Sequence, residues 1–172
     1  MPRLIRWRDG AATWGEDPLT AVDDDQPIPP GDVLVSLAQF QRERSNLLGC
    51  GRNLGVRLGP SDEPETLIVD LAELSVVALT FPKFRDGRGY SAARVLRERL
   101  AFKGEVRAVG DVLIDMAVPL IRCGFDAFAP ADASSPEHWT AAAGRFRHVY
   151  QRAADDRTPA FAERTPARVG GA

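Results

Sequence analysis

The chain has 172 residues, 44% of them hydrophobic and 27% charged, which suits one globular domain with a core of its own. A formal charge of -2 gives no basis for general nucleic-acid binding. With no signal peptide and no apolar run near the ~20 residues that span a bilayer, the chain is expected to be a cytoplasmic protein with no membrane segment.

Leu4, Ile5 and Trp7 run up to Asp9-Gly10, and Ala12 to Trp14 follow, the pattern of a short hairpin that covers a sheet edge. Residues 15–32, with Asp23, Asp24, Asp25, Pro27, Pro29 and Pro30, have no periodicity and read as an exposed acidic linker. The three adjacent aspartates project in different directions and lack the calcium-loop spacing, which argues against a metal site. Residues 1–32 are therefore taken as an N-terminal hairpin and linker, 33–152 as an α/β domain, and 153–172 as a disordered tail without a repeating apolar face. Charge is sorted along the chain. From Asp9 to Asp32 there are seven acidic residues and no basic one, whereas Lys83 to Arg107 holds eight basic residues against three acidic.

A βα rhythm begins at residue 33: strands over 33–35 and 56–58 flank a helix over 37–48 with Phe40 and Leu47 inward. The connecting GCGRNLG contains GxG, but it follows a helix and lacks the third glycine of the dinucleotide fingerprint. Residues 60–66 read as a polar loop and 67–74 as a short strand or a single turn.

Residues 76–128 carry the clearest pattern, β-α-β-α-β. An apolar strand over 76–81 leads through Gly87 and Gly89 to a helix with Ser91 as N-cap, Ala92, Val95, Leu96 and Leu100 on its buried stripe, and Gly104 as its stop. A strand over 106–108 and a turn at Gly110-Asp111 precede a second helix over 112–122. Asp111 is its expected N-cap, and Pro119 is expected to kink it and free a polar group near Asp115. A strand over 126–128 follows Gly124, and a last helix over 136–150 places Trp139, Ala142, Phe146 and Val149 on one face. Five short strands with helices between them predict a small, mostly parallel α/β sheet with crossover helices, flavodoxin-like or part of a βα barrel.

Parallel strands joined by crossovers collect their loops at one edge of the sheet, where ligands sit. At that edge Gly87 and Gly89 allow close backbone approach, a helix begins near Tyr90 and Ser91, and Arg85 and Arg88 can clamp an oxyanion. The turn at Gly110 and Asp111 belongs to the same crevice. A second reading is available, since glycine turns before helices are common without ligands: Asp86-Gly87 is a tight turn, Arg88 pairs with an acidic neighbour, and Tyr90 closes the core. Cys123 reads as a small buried residue beside Gly124; Cys50 and Cys123 form no CxxC or metal spacing, and the expected cytoplasmic compartment keeps thiols reduced. His138 and His148 are too far from other candidate ligands for a metal site.

The run FPKFRDGRGYSAARVLRERLAFKGEVRAVGDVL, followed by RCGFDAF, resembles the bacterial domain-of-unknown-function family number 934. The likeness is strongest over 76–128, weaker over 30–75 and absent at the C-terminal tail, and FRDGRGYS and RAVGDVL carry it. Members often have a polar amide where this chain has Met116. The resemblance implies a part in assimilatory sulfite reduction, beside whose genes those of the family lie, but no mechanism comes with it. Two functions follow. The chain is an oxidoreductase, or a subunit of one, that holds sulfite or another small oxyanion at Arg85, Asp86, Gly87, Arg88, Gly89, Tyr90, Ser91, Gly110 and Asp111; or it is a non-catalytic accessory that binds and supports a sulfite-reducing enzyme. The chain has no four-cysteine cluster, dinucleotide fingerprint or recognisable flavin motif, so its cofactor is unknown and a redox centre would belong to a partner.

Overall fold

A computed structural model describes residues 3–155 and 157–163. Strands β1 (Arg3–Arg8) and β2 (Ala11–Glu16) form the expected hairpin, with Asp9 and Gly10 both at positive φ in the turn. Then come β3 (Thr20–Ala21), β4 (Val33–Ser36), α1 (Leu37–Leu47), β5 (Leu54–Leu58), two single 3-10 turns at Pro64–Leu67 and Leu71–Glu73, and β6 (Val76–Phe81). The second half holds α2 (Arg88–Arg94), which continues as a π-helical turn at Val95–Arg99, β7 (Glu105–Gly110), α3 (Ala117–Arg122), β8 (Ala127–Phe128), α4 (Pro136–Ala143) and the short α5 (Ala160–Glu163). No helix among the described residues is long and apolar enough to cross a membrane.

The eight strands form one curled half-barrel sheet in the order β2-β1-β8-β7-β6-β5-β4-β3. From β3 to β8 the neighbours run parallel, whereas β1 is antiparallel to both β2 and β8. The expectation of about five strands is thus corrected to eight, with the hairpin added as an antiparallel wing. The flavodoxin-like alternative is also excluded, because that order reverses around its first strand, whereas β3 to β8 follow chain order without a switch point.

Alternation along the strands assigns the two faces. Val33 and Val35, Val56 and Leu58, Val77, Leu79 and Phe81, and Val106 and Ala108 pack with Phe40, Leu47, Ala93, Leu96 and Leu120 from the helices. Right-handed crossovers between sequential neighbours place those helices on this outer face. Leu34, Val76 and Ala78 point the other way, into a smaller inner cluster with Leu19.

Several local expectations are corrected. The segment 15–32 is not wholly an exposed linker: β3 pairs with β4, and Leu19 and Val22 are buried on either side of it. Gly87 rather than Ser91 precedes α2, so Ser91 lies inside the helix. The second helix is shorter than 112–122: a 3-10 turn at Ile114–Met116 comes first and α3 starts at Ala117. Pro119 falls in the first turn of α3, where its missing N–H has no carbonyl to satisfy, and there is no mid-helix kink. Helix α4 stops at Ala143, leaving Phe146 exposed, although Trp139 is fully buried, stacked on Phe128 at 4.4 Å, with its Nε1 donating to Ser134 Oγ at 2.8 Å. Of the tail read as disordered, Val149 bridges Pro159 and 160–163 make a helical turn; residue 156 and residues 164–172 lie outside the described residues.

Candidate functional site

The carboxyl ends of β5, β6 and β7 and the loops that leave them converge as expected of parallel neighbours. Asp111 makes the junction. Its backbone N–H donates to Phe81 O and its carboxylate accepts the N–H of Phe84, both at 2.7 Å, so the loop after β6 is tethered to the turn after β7. Asp111 is therefore a loop clamp and not the helix N-cap expected of it. Gly110 is required at this point: its φ is +97°, and a Cβ there would lie 2.4 Å from Phe81 O.

Asp86, Gly87 and Arg88 form a closed local unit. The Arg88 guanidinium forks onto Asp86, with Nε to Oδ1 at 2.9 Å and Nη2 to Oδ2 at 2.6 Å, and Asp86 Oδ1 also accepts the N–H of Arg88 at 3.2 Å. The hydrogen bonds from Arg88 hold the Asp86 carboxyl down at about 2, and those same bonds raise the guanidinium above its ordinary value. Nη1 of Arg88 reaches Ser61 Oγ at 3.5 Å, which ties this unit to the loop after β5.

The two glycines differ in role. A Cβ on Gly89 would meet the Phe81 ring at 2.6 Å, so this glycine lies flat against the core, whereas Gly87 is open on the surface. Tyr90 is half-buried edge-on to Phe81, with ring centroids 5.3 Å apart, and burial, with a smaller push from Cys123, raises its hydroxyl to about 12. The paired arginine and the core tyrosine of the second reading are present, while the tight turn lies two residues earlier, at Phe84-Arg85, where the N–H of Asp86 donates to Lys83 O at 2.9 Å. What stays open is Arg85, exposed at the tip, whose guanidinium bonds to no described residue.

Beside this unit a groove of about 230 Å³ is lined by Asp62, Glu63, Thr80, Arg88, Ser91 and Val95 among others. Sequence reasoning missed Ser61, Asp62 and Glu63, which come from the polar loop after β5. Asp62 is held by accepting the N–H of Gly59 at 2.7 Å. The rest of its lining is mostly apolar, with Leu58, Pro60, Pro64, Leu79 and Ala92, and its few charged groups are mixed in sign; Arg85 stands outside it at the loop tip.

The other candidate residues are dispersed. Cys123 caps α3, half-buried, and burial pushes its thiol up. His138 Nδ1 faces the N–H of Ser135 at 3.4 Å, while His148 meets Glu163 at 2.6 Å. Asp24 accepts the Ser36 hydroxyl at the start of α1. No group of three His, Cys, Asp or Glu side chains able to hold a metal comes together among the described residues.

A sequence model of a bacterial protein family of unknown function, DUF934, matches residues 55–161. The chain belongs to that family. The match opens in β5 and takes in the whole of the tethered edge, while β1 to β4 precede it. No curated protein matches the chain. Within the DUF934 match the motif FRDGRGYS is the Asp86–Arg88 unit and the opening of α2, and RAVGDVL is β7 with its Asp111 clamp.

Proposed function

We propose that the chain is a cytoplasmic component of assimilatory sulfite reduction, an oxidoreductase or a subunit of one, that holds a small oxyanion such as sulfite at the carboxyl edge of the sheet. The observation that carries this reading is Arg85, a cation without a partner among the described residues, on a loop that Asp111 clamps in place. The clamp fixes the loop backbone, so binding has only the Arg85 side chain to order, and the planar donors of a guanidinium suit the oxygens of a sulfur oxyanion. Arg88 is a second contact only when its fork leaves Asp86. Its side chain is 59% exposed, so solvent screens the contact and its share is small. The sulfite assignment itself rests on the resemblance carried by FRDGRGYS and RAVGDVL.

The accessory reading, in which the chain supports a sulfite-reducing enzyme without holding the anion, draws on the closed Asp86–Arg88 pair and on Phe84, which is 41% exposed beside it. Calorimetric titration with sulfite and sulfate decides between them. Wild type should bind sulfite, Arg85→Ala should lose most of that binding, and Arg88→Ala should lose little. If Arg85→Ala binds sulfite as wild type does and the chain co-purifies with a sulfite-reducing enzyme, the accessory reading stands.

A further inference from the structure

The inner face of the half-barrel carries a second set of arginines. In the strand register Arg57 of β5, Ala78 of β6, Arg107 of β7, Ala127 of β8 and Arg6 of β1 stand side by side in one row. Residues opposite one another in a sheet share a face, so three guanidiniums project inward on alternate strands with a methyl group between each pair. Strand spacing puts the backbones of Arg57 and Arg107 about 10 Å apart, and the curl of the sheet tips the two side chains toward one another.

Arg107 is the buried member, its side chain 1% exposed. Its Nε donates to Glu105 Oε1 and its Nη1 to Asp17 Oδ2, each at 2.8 Å, while its Nη2 is buried with no acceptor among the described residues. Glu105 also binds Arg6. Asp17 belongs to a three-residue strap, 17–19, that joins β2 to β3 across the inner face. Within the strap the N–H of Leu19 donates to Asp17 Oδ1 at 3.1 Å, and Leu19 packs on Leu34 of the sheet. Arg57 is half-buried and its guanidinium bonds to no described residue. Three guanidiniums thus face two carboxylates, and one positive charge and one buried donor are left over. The desolvation of that donor is matched by no hydrogen bond, as is true of Gln39 Oε1, Arg122 Nη1 and Asp155 Oδ2 among the described residues, but Arg107 Nη2 alone of the four stands in this row.

We propose that the inner face is a binding site for a dianionic tetrahedral oxyanion, inorganic phosphate or a phosphate monoester, held between Arg57 and Arg107. In the free chain the Asp17 carboxylate fills part of that site. When the strap lifts, Asp17 leaves and the site carries two uncompensated positive charges, which a dianion neutralises and a monoanion does not. Two arginine forks from opposite sides match the several oxygens of a tetrahedral anion. This site is separate from the Arg85 edge and does not depend on the role proposed for it.

The test is calorimetric titration of the full chain at low ionic strength and pH 7.5 with inorganic phosphate, sulfate, glycerol phosphate and acetate, with circular dichroism to confirm that each variant is folded. Phosphate and sulfate should bind and acetate should not. Arg57→Gln should weaken phosphate binding at least tenfold, Asp17→Asn should tighten it several-fold by removing the competing charge, and Arg85→Ala should leave it unchanged. Tighter binding of glycerol phosphate than of phosphate would mark an organic phosphate as the natural ligand, and the reverse would mark the free ion; both uphold the site. Amide shifts on adding phosphate should fall on Arg57, Ala78 and Thr80. The inference is overturned if wild type binds no dianion, if Arg57→Gln binds phosphate as wild type does, or if the shifts fall on 85–91 and Arg85→Ala alone abolishes binding, in which case the anion belongs to the carboxyl edge.

Discussion

Removing the Arg97 side chain should be among the most damaging single changes in the molecule. Arg97 lies in the π-helical turn after α2, where its Nε donates to Gly124 O at 2.9 Å and its Nη1 to Phe102 O at 2.7 Å and Gly104 O at 2.8 Å. Its Nη2 binds Asp126, whose same oxygen accepts the N–H of Val106 at 2.8 Å, and its guanidinium carbon lies 5.8 Å from the Phe102 ring centroid. One side chain therefore satisfies three loop carbonyls and a carboxylate and joins the end of α2 to the start of β7 and β8. Each charge-assisted bond is worth about 1.5–3 kcal/mol, but ordering an arginine costs about 2 kcal/mol, and with the side chain 16% exposed water can reach part of the vacated space. The expected loss for Arg97→Ala is about 3–5 kcal/mol, or about 10 °C in Tm for a chain of this size. Urea denaturation read by circular dichroism measures it. Arg97→Met, which keeps the stem over Phe102, should recover about 1 kcal/mol and no more. A loss below 1 kcal/mol for Arg97→Ala, or full recovery in Arg97→Met, would show that packing and not the carbonyl network holds this junction.

Two further variants probe the carboxyl edge. Asp86→Asn should cost stability at neutral pH and nothing at low pH. The folded carboxyl titrates near 2 against an ordinary 3.8, so its contribution is present above about pH 4 and is lost as pH falls through about 2; urea midpoints of wild type and variant should converge across that window, and parallel curves would contradict the pairing. The same variant frees the Arg88 fork and should tighten sulfite binding at this edge. Gly89→Ala should destabilise by about 1–3 kcal/mol through overpacking against Phe81, whereas Gly87→Ala, with open space at its Cβ, should shift the urea midpoint little; equal effects would show that the loop backbone and not the ring contact sets the requirement.

Much of the parallel core was legible from local pattern. Val76 to Phe81 and Val106 to Ala108 read as strands because apolar runs bounded by loops are what a buried parallel strand requires, and they pair in parallel with Val77 opposite Val106. The Asp9-Gly10 hairpin was equally plain, since its turn demands residues that accept positive φ. At the carboxyl edge, FRDGRG reads locally as both an anion loop and a self-satisfied turn. Two through-space contacts, Asp111 on Phe84 and Arg88 on Ser61, show how the loops are held together.

What sequence could not supply was everything fixed by contacts between distant residues. Strand β3 has two residues in a proline-rich acidic stretch, too few to show a period, and exists because β4 offers it an edge to pair with and Leu19 and Val22 have a core to enter. The docking of β1 on β8 depends on a partner more than a hundred residues away. Arg57 between Val56 and Leu58, and Arg107 between Val106 and Ala108, are charges at the alternate positions of otherwise apolar strands. Alternation alone assigns such residues to the face away from the helices, but it cannot say that the two stand in one row. That follows from strand order and register, which long-range backbone pairing sets and which no local window of side chains encodes.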